Sequence, residues 1–135
     1  MTGWIYTFNS TPISWASKKQ GLVARSSMEL ELVAGSFAAA EGVWLMKLGN
    51  DFKQNFSPIP LFTDNQSFIV FSDNEVNNRT KHIDIHYHYT HEQIQVQSIV
   101  LHYIPSHQNP ADLLTKALSV RKHSHMLGLL GICSA

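Results

Sequence analysis

The sequence predicts an α/β fold in which helices pack on a mixed β-sheet. Three observations lead to this prediction: a β-hairpin pattern opens the chain, a long helix pattern follows it, and strand-like and helix-like segments then alternate. The chain has 135 residues, of which 44% are hydrophobic and 15% are charged. This size and composition are typical of one globular domain with a single core.

The first part of the chain is predicted to form a hairpin and then a long helix. Residues 3–8 and 13–16 are rich in aromatic and β-branched residues and form the two strands. The helix begins with Ser26 as its N-cap and Glu29 three residues later, which is the capping-box pattern. We expect its buried stripe to comprise the apolar residues that recur at steps of three and four, which are Leu30, Val33, Phe37, Ala40, Trp44 and Leu48.

The second part of the chain is predicted to alternate strands with helices. In order, we expect a strand at 59–63, helices at 65–71 and 80–95, a strand at 98–104 and a helix at 111–118. The strand at 98–104 is apolar on both faces, which favours a central position in the sheet. We expect residues 1–120 to form the domain and residues 121–135 to form a weakly helical C-terminal tail.

Three acids occupy distinctive places in this pattern. Glu29 lies in the first turn of the long helix, Asp64 ends a strand, and Asp112 lies in the first turn of the last helix. Carboxylates that meet at strand ends and helix starts bind hard divalent cations, and two such cations drive in-line displacement at phosphorus. Each acid also has a purely structural explanation: Glu29 closes the capping box, Asp64 caps the next helix, and Asp112 interacts with a helix dipole.

Five motifs follow one another along most of the chain, from the hairpin to the last predicted helix. They are ISWASKKQ at 13–20, VARSSMELE at 23–31, DNQS at 64–67, RTKHIDIHYH at 79–88 and ADLLTK at 111–116. Read in this order, they resemble the motifs of the Ty1/copia class of retrotransposon ribonuclease H.

The resemblance implies a ribonuclease-H-like fold and an enzyme that cuts the RNA strand of RNA–DNA hybrids during reverse transcription. It also implies four carboxylates that hold two Mg²⁺ ions, with Mn²⁺ as a possible substitute, and Glu29, Asp64 and Asp112 match three of them. His107 resembles a loop histidine that assists product release in related nucleases, and the alternative is an exposed loop histidine. Glu31, the next acid in its motif, is expected to be solvated or structural.

The sequence departs from the family pattern at its N-terminus. The family's first catalytic aspartate lies in a strand upstream of the hairpin, and no aspartate precedes Asp51 here. We therefore expect the first strand to be missing, the two-ion site to be incomplete and nuclease activity to be no more than trace. The sequence leaves open whether this reflects a decayed element or an artificial gene boundary.

Cationic residues near the motifs are the expected contacts to nucleic acid. Binding is expected to be weak, salt-sensitive and independent of base sequence, because each neutralised phosphate releases counterions. The net charge of zero supports the alternative that these are only solvating charges. The candidates are Lys18, Lys19, Arg25, Arg79 and Lys81.

Four histidines within ten residues form a further cluster. His82 and His86 are spaced i, i+4, a spacing that can bind a metal ion on a helix. The alternative for His82, His86, His88 and His91 is a partly cationic face that touches the nucleic-acid backbone.

Three functional hypotheses remain at this point. The chain is a ribonuclease H module, a non-catalytic transposon remnant that binds nucleic acid weakly, or a small metal-binding protein. The expected partners are RNA–DNA hybrid or duplex nucleic acid and the reverse transcriptase domain of the parent polyprotein. No signal peptide, no membrane-spanning segment and one cysteine favour an intracellular location, cytoplasmic or nuclear.

Overall fold

A computed structural model describes residues 1–19, 21, 27–73 and 81–132, although not the side chains of residues 71, 73 and 81–84. The chain divides into two compact units. The first unit comprises Met1–Leu22 and Ile104–Ala135, and the second comprises Val23–Tyr103. No helix in the described part of the chain is both long and apolar enough to cross a membrane.

The first unit begins with the predicted hairpin, which is confirmed. Strands β1 (Thr2–Phe8) and β2 (Thr11–Lys18) are antiparallel. Asn9 and Ser10 form the two-residue turn, and both have left-handed backbone angles, with φ of 49° and 62°. Two left-handed residues give the type I′ turn, whose twist matches that of the flanking strands.

In the rest of the first unit, the predicted α-helix at 111–118 is wrong. A short 3-10 helix, Pro110–Leu114, stands there instead, and Asn109 caps it by accepting from Ala111 N at 3.1 Å. At its end, the amides of Thr115 and Lys116 both donate to the Asp112 carbonyl.

The predicted weakly helical tail forms a packed helix. Helix α4 (Val120–Leu129) is capped by Ser119, and it buries Met126, with Leu130 buried just beyond its end. The C-terminal segment therefore contributes apolar contacts to the first unit.

The described part of the second unit has three helices and a parallel strand pair. Its elements in order are α1 (Ser27–Asp51), β3 (Ile59–Thr63), α2 (Gln66–Asp73), α3 (Lys81–Gln95) and β4 (Ile99–Tyr103). Strands β3 and β4 are parallel and in register from Ile59 opposite Ile99 to Thr63 opposite Tyr103. Leu32 of α1, Phe68 of α2 and Tyr87 of α3 form a buried cluster, and Leu101 of β4 packs against it.

The expected single mixed sheet is not found among the described residues. The strands form two separate two-stranded sheets, β1 with β2 and β3 with β4. The prediction that the strand at 98–104 is central is also wrong there, because β4 has β3 as its one neighbour. Burial falls off along the strand: Ile99 is fully buried, Leu101 is half-buried, and Tyr103 is 49% exposed.

The buried face of α1 is not the predicted stripe. Of that stripe, Val33 is buried, while the five other residues are exposed. Small residues form much of the buried face instead, because they let neighbouring elements approach the helix closely. A Cβ atom added at Gly35 would overlap the ring of Phe68. The residues buried along α1 are Leu32, Val33, Ser36, Ala38, Ala39, Gly42, Leu45 and Gly49.

Candidate metal and nucleic-acid site

Asp64 directly follows the last residue of β3, and it is half-buried. The next residue, Asn65, caps α2: its Oδ1 accepts from Phe68 N at 3.0 Å. The amide of Asn65 in turn donates to Thr63 Oγ1 at 3.2 Å, which fixes the chain between strand and helix. The bond that caps α2 at Phe68 N therefore belongs to Asn65.

Glu29 lies in the first turn of α1 and is half-buried. Its predicted capping partner, Ser26, lies outside the described residues. Leu32 follows Glu29 by about one helical turn, as Phe68 follows Asp64, and both apolar residues belong to the buried cluster. Each of the two carboxylates therefore precedes, by three or four residues along the chain, a residue of the same buried cluster.

Asp112 belongs to the other unit, where its side chain is 14% exposed. Lys116 Nζ lies 3.1 Å from its Oδ1 and donates to it, an i, i+4 ion pair. We did not predict this pair, although both residues lie in the ADLLTK motif and the spacing is the usual one for helical ion pairs. The approach of Asp112 to Glu29 and Asp64 stays a prediction, as does their metal site.

A search of the described ranges finds no group of three His, Cys, Asp or Glu side chains that could hold a metal ion. As donors, the three carboxylates suit hard divalent cations, which prefer oxygen ligands. Around Asp112, a cation would have to share or replace the contact with Lys116. His107 is exposed in the 3-10 helix Ser106–Gln108, and its role in product release also stays a prediction.

Two of the five predicted nucleic-acid contacts have described side chains. Lys18 and Lys19, at and just after the end of β2, are exposed. The Lys18 ammonium lies 5.2 Å from the centroid of the Trp4 ring, a cation–π contact that positions the charge at the surface. Arg25 and Arg79 lie outside the described residues, as does the side chain of Lys81.

Comparison with known proteins identifies relatives over nearly the whole chain. This chain is 35% identical over 134 residues to the "Retrovirus-related Pol polyprotein from transposon TNT 1-94" of Nicotiana tabacum. Two Arabidopsis thaliana proteins, the "Retrovirus-related Pol polyprotein" from transposon RE1 and that from transposon RE2, are 32% and 34% identical over 132 and 119 residues. The matches cover 98%, 96% and 87% of this chain.

The chain is homologous to part of a transposon Pol polyprotein. The predicted resemblance to retrotransposon polyproteins is therefore confirmed. The chain spans about a tenth of the length of these relatives, with 10%, 9% and 8% of each covered. No family model matches it, and no solved structure does.

Two of the clustered histidines link α3 to its neighbours. His86 Nδ1 lies 2.6 Å from Ser36 Oγ of α1, and its ring is 5.6 Å from that of Phe37. His91 Nδ1 lies 2.9 Å from the Ser72 carbonyl of α2. These contacts give both residues a role in packing helices, which the metal hypothesis did not foresee.

The remaining histidines of the cluster add less to the packing. His88 is exposed and contacts the neighbouring Tyr87 ring edge-on, at a centroid distance of 5.5 Å. His91 instead stacks on Tyr87 at the same centroid distance, with 15° between the ring planes. The side chain of His82 lies outside the described residues.

Proposed function

We propose that the chain is the ribonuclease H module of a Ty1/copia-type retrotransposon polyprotein, which hydrolyses the RNA strand of RNA–DNA hybrids during reverse transcription. The observation that carries the proposal is the placement of Asp64. It stands at the carboxyl end of a strand, inside the DNQS motif, while its neighbour Asn65 caps the following helix. A carboxylate at the carboxyl end of a strand is a suitable ligand for a catalytic cation.

The parallel strands support the same site. Because β3 and β4 run in the same direction, their carboxyl ends meet at one edge, and Asp64 follows that edge. Glu29, Asp64 and Asp112 would hold Mg²⁺, or Mn²⁺ in its place. When bound, such ions supply activation of water and stabilisation of the leaving oxygen in displacement at phosphorus.

The chain's own cations have separate roles in this proposal. Lys116 holds the carboxylate of Asp112 in position through their ion pair. Lys18 and Lys19, both exposed, bind the phosphate backbone of the hybrid and carry no base specificity. Replacing Lys18 and Lys19 together by Gln should weaken hybrid binding and reduce its dependence on salt.

A second candidate function is nucleic-acid binding without cleavage. The ion pair between Asp112 and Lys116 favours it, because the carboxylate already has a cationic partner. In that case the chain binds hybrid or duplex weakly and without sequence preference, and added metal changes nothing.

Cleavage of a labelled RNA–DNA hybrid distinguishes the two functions. We expect trace cleavage by residues 1–135, and clear cleavage once a strand that carries an aspartate is joined ahead of Met1. In the extended chain, Asp64→Asn should abolish cleavage, and Asp51→Asn, at an exposed acid ending α1, should not. A folded extended chain that cuts nothing, or that still cuts after Asp64→Asn, contradicts the proposed enzyme.

Thermal melts test the metal site independently of cleavage. If the three carboxylates are gathered, they repel one another, and Mn²⁺ should raise the Tm because it binds the native cluster better than the unfolded chain. Asp64→Asn should remove this shift while leaving the metal-free protein as stable or more so, and Asp51→Asn should keep it. If Mn²⁺ does not change the Tm and Asp64→Asn is only destabilising, then Asp64 is structural.

A further inference from the structure

The two faces of the β1–β2 hairpin differ in exposure. Thr2, Trp4 and Tyr6 of β1 lie on one face and are buried. On the other face, Trp15 of β2 is 62% exposed and its neighbour Ile13 is 48% exposed. Adjoining exposed apolar side chains of this size are typical of a binding surface. Trp15 also belongs to the ISWASKKQ motif, in which only the lysines have a proposed role so far.

The exposed aromatic side chain lies beside a 3-10 helix. Residues two apart on a strand share a face, so Trp15 and Ser17 lie about 7 Å apart along one side of β2. Ser17 Oγ donates to the Leu114 carbonyl at 2.7 Å, which places the end of the 3-10 helix against this side. Gly3, paired with Ser17, makes the contact close, because an added Cβ atom would lie 2.7 Å from Thr115 Cγ2.

Helix α4 brings positive charge to the same 3-10 helix. The 3-10 helix that ends at Leu114 packs against α4 as well as against the hairpin. Met126 is buried on one side of α4, whereas Arg121 and Lys122, in its first turn, are exposed. Trp15 and these two cations therefore stand on elements that share a neighbour within one compact unit.

Charge is divided unevenly between the two units. The chain has ten Lys and Arg and ten Asp and Glu. The sequence of the second unit has five of these cations and nine of the acids, whereas that of the first unit has five cations and one acid, Asp112. That acid already pairs with Lys116. The first unit is therefore strongly positive in a chain of zero net charge, and its cations are Lys18, Lys19, Lys116, Arg121 and Lys122.

We propose that the first unit binds a single strand of nucleic acid, with a base stacked on Trp15 and backbone phosphates held by Arg121 and Lys122. Proteins that bind single strands without sequence preference combine exposed aromatic rings with neighbouring cations in this way. A duplex fits less well, because its bases are stacked on one another and offer no open face to an indole ring. The inference goes beyond hybrid cleavage, since none of these three residues belongs to the proposed metal site.

Fluorescence anisotropy of a labelled oligo(dT) strand in EDTA tests the stacking, because neither RNA nor a metal ion is present to allow cleavage. Trp15→Gln should raise the Kd at least about fivefold, the effect of losing one stacked base. Trp15→Phe keeps an aromatic ring and should retain most of the affinity. The matched control is Trp44→Gln, at an exposed tryptophan of the acidic second unit, and it should leave the Kd unchanged.

An abasic strand of the same length separates stacking from charge. It keeps the phosphates and has no base to stack, so the wild-type chain should bind it more weakly than oligo(dT). Trp15→Gln should bind the abasic strand as the wild type does, because the substitution removes only the stacking contact.

The salt dependence of binding tests the cations. Each phosphate that is neutralised on a single strand contributes about −0.7 to the slope of log K against the logarithm of salt concentration. Replacing Arg121 and Lys122 together by Gln should therefore make the slope less steep by about 1.4. Replacing Lys47 and Lys53, two exposed lysines of the second unit, makes the same change in net charge and should leave the slope unaltered.

Three results overturn the inference, each measured on chains that circular dichroism shows to be folded. One is a wild-type chain that does not bind oligo(dT) at low salt, or that binds duplex DNA more tightly. The second is equal affinity of the wild-type chain for oligo(dT) and for the abasic strand, a comparison that needs no variant. The third is an equal change of slope in the two double variants, which would mean that binding responds to net charge alone.

Discussion

The two sides of α1 differ in how they use apolar residues. On the inner side, residues as small as Gly35 and Ala39 are in contact with neighbouring elements, and Phe68 lies directly on the helix at Gly35. On the outer side, a residue as large as Trp44 is 55% exposed. On the inner side, small residues are buried because they let a neighbouring element approach the helix axis closely. Close approach matters because it increases the number of contacts that each buried atom makes.

Among substitutions on the two sides of α1, Gly35→Ala is expected to change the free energy of unfolding most. A methyl group there would overlap the ring of Phe68, which is buried and has little space in which to move. We expect the free energy of unfolding to fall by about 2 kcal/mol, as for other overpacked sites. Urea denaturation measures it, and a gain in stability would mean that α1 and α2 do not meet as described.

Asn65→Ala tests the contact between α1 and α2 from the side of α2. The amide oxygen of Asn65 caps the helix that brings Phe68 to α1. We expect a loss of about 1 kcal/mol, the usual value of an N-cap. Asn65→Asp keeps an acceptor and should restore most of that stability; equal losses in the two variants would mean that the cap is not the cause.

Gly128→Ala is the matched control for Gly35→Ala. The site lies in helix α4, and nothing lies within 4 Å of an added Cβ atom. The same chemical change should therefore stabilise the protein, by roughly 0.5–1 kcal/mol, because alanine is the better helix former. Opposite signs at residues 35 and 128, measured in the same urea series, would separate packing from helix propensity.

Trp44→Gln is expected to have the smallest effect on stability, because Trp44 is 55% exposed. The free energy of unfolding should change by less than about 0.5 kcal/mol. A buried tryptophan would instead lose several kcal/mol on truncation, about 3–5 for replacement by alanine. A large loss in urea melts would therefore show that the outer side is covered within one chain.

Local sequence patterns predicted most helices and strands, but they predicted less well which residues of each element are buried. The hairpin and the strand Ile59–Thr63 follow from turn residues and from short apolar runs, which are signals within a few residues. The periodicity of α1 predicted a helix correctly, but periodicity ranks residues by hydrophobicity and carries no information on the space beside Gly35. In place of the helix expected at 111–118 stands the 3-10 helix Pro110–Leu114, which the local pattern did not predict.

At the candidate site, too, the sequence predicted the position of a residue but not its contacts. Its sequence motif placed Asp64 at a strand end, as the structure has it. Asp and Asn are both good N-cap residues, so sequence alone could not decide which of Asp64 and Asn65 caps α2. The pairing of Asp112 with Lys116 needed the local backbone geometry, although their spacing in the motif was visible.

The contact of His91 also fixes which of its ring nitrogens carries hydrogen. A carbonyl oxygen only accepts, so His91 must donate from Nδ1 to Ser72. Because the acceptor is a main-chain oxygen, this tie between α3 and α2 does not depend on which side chain stands at residue 72.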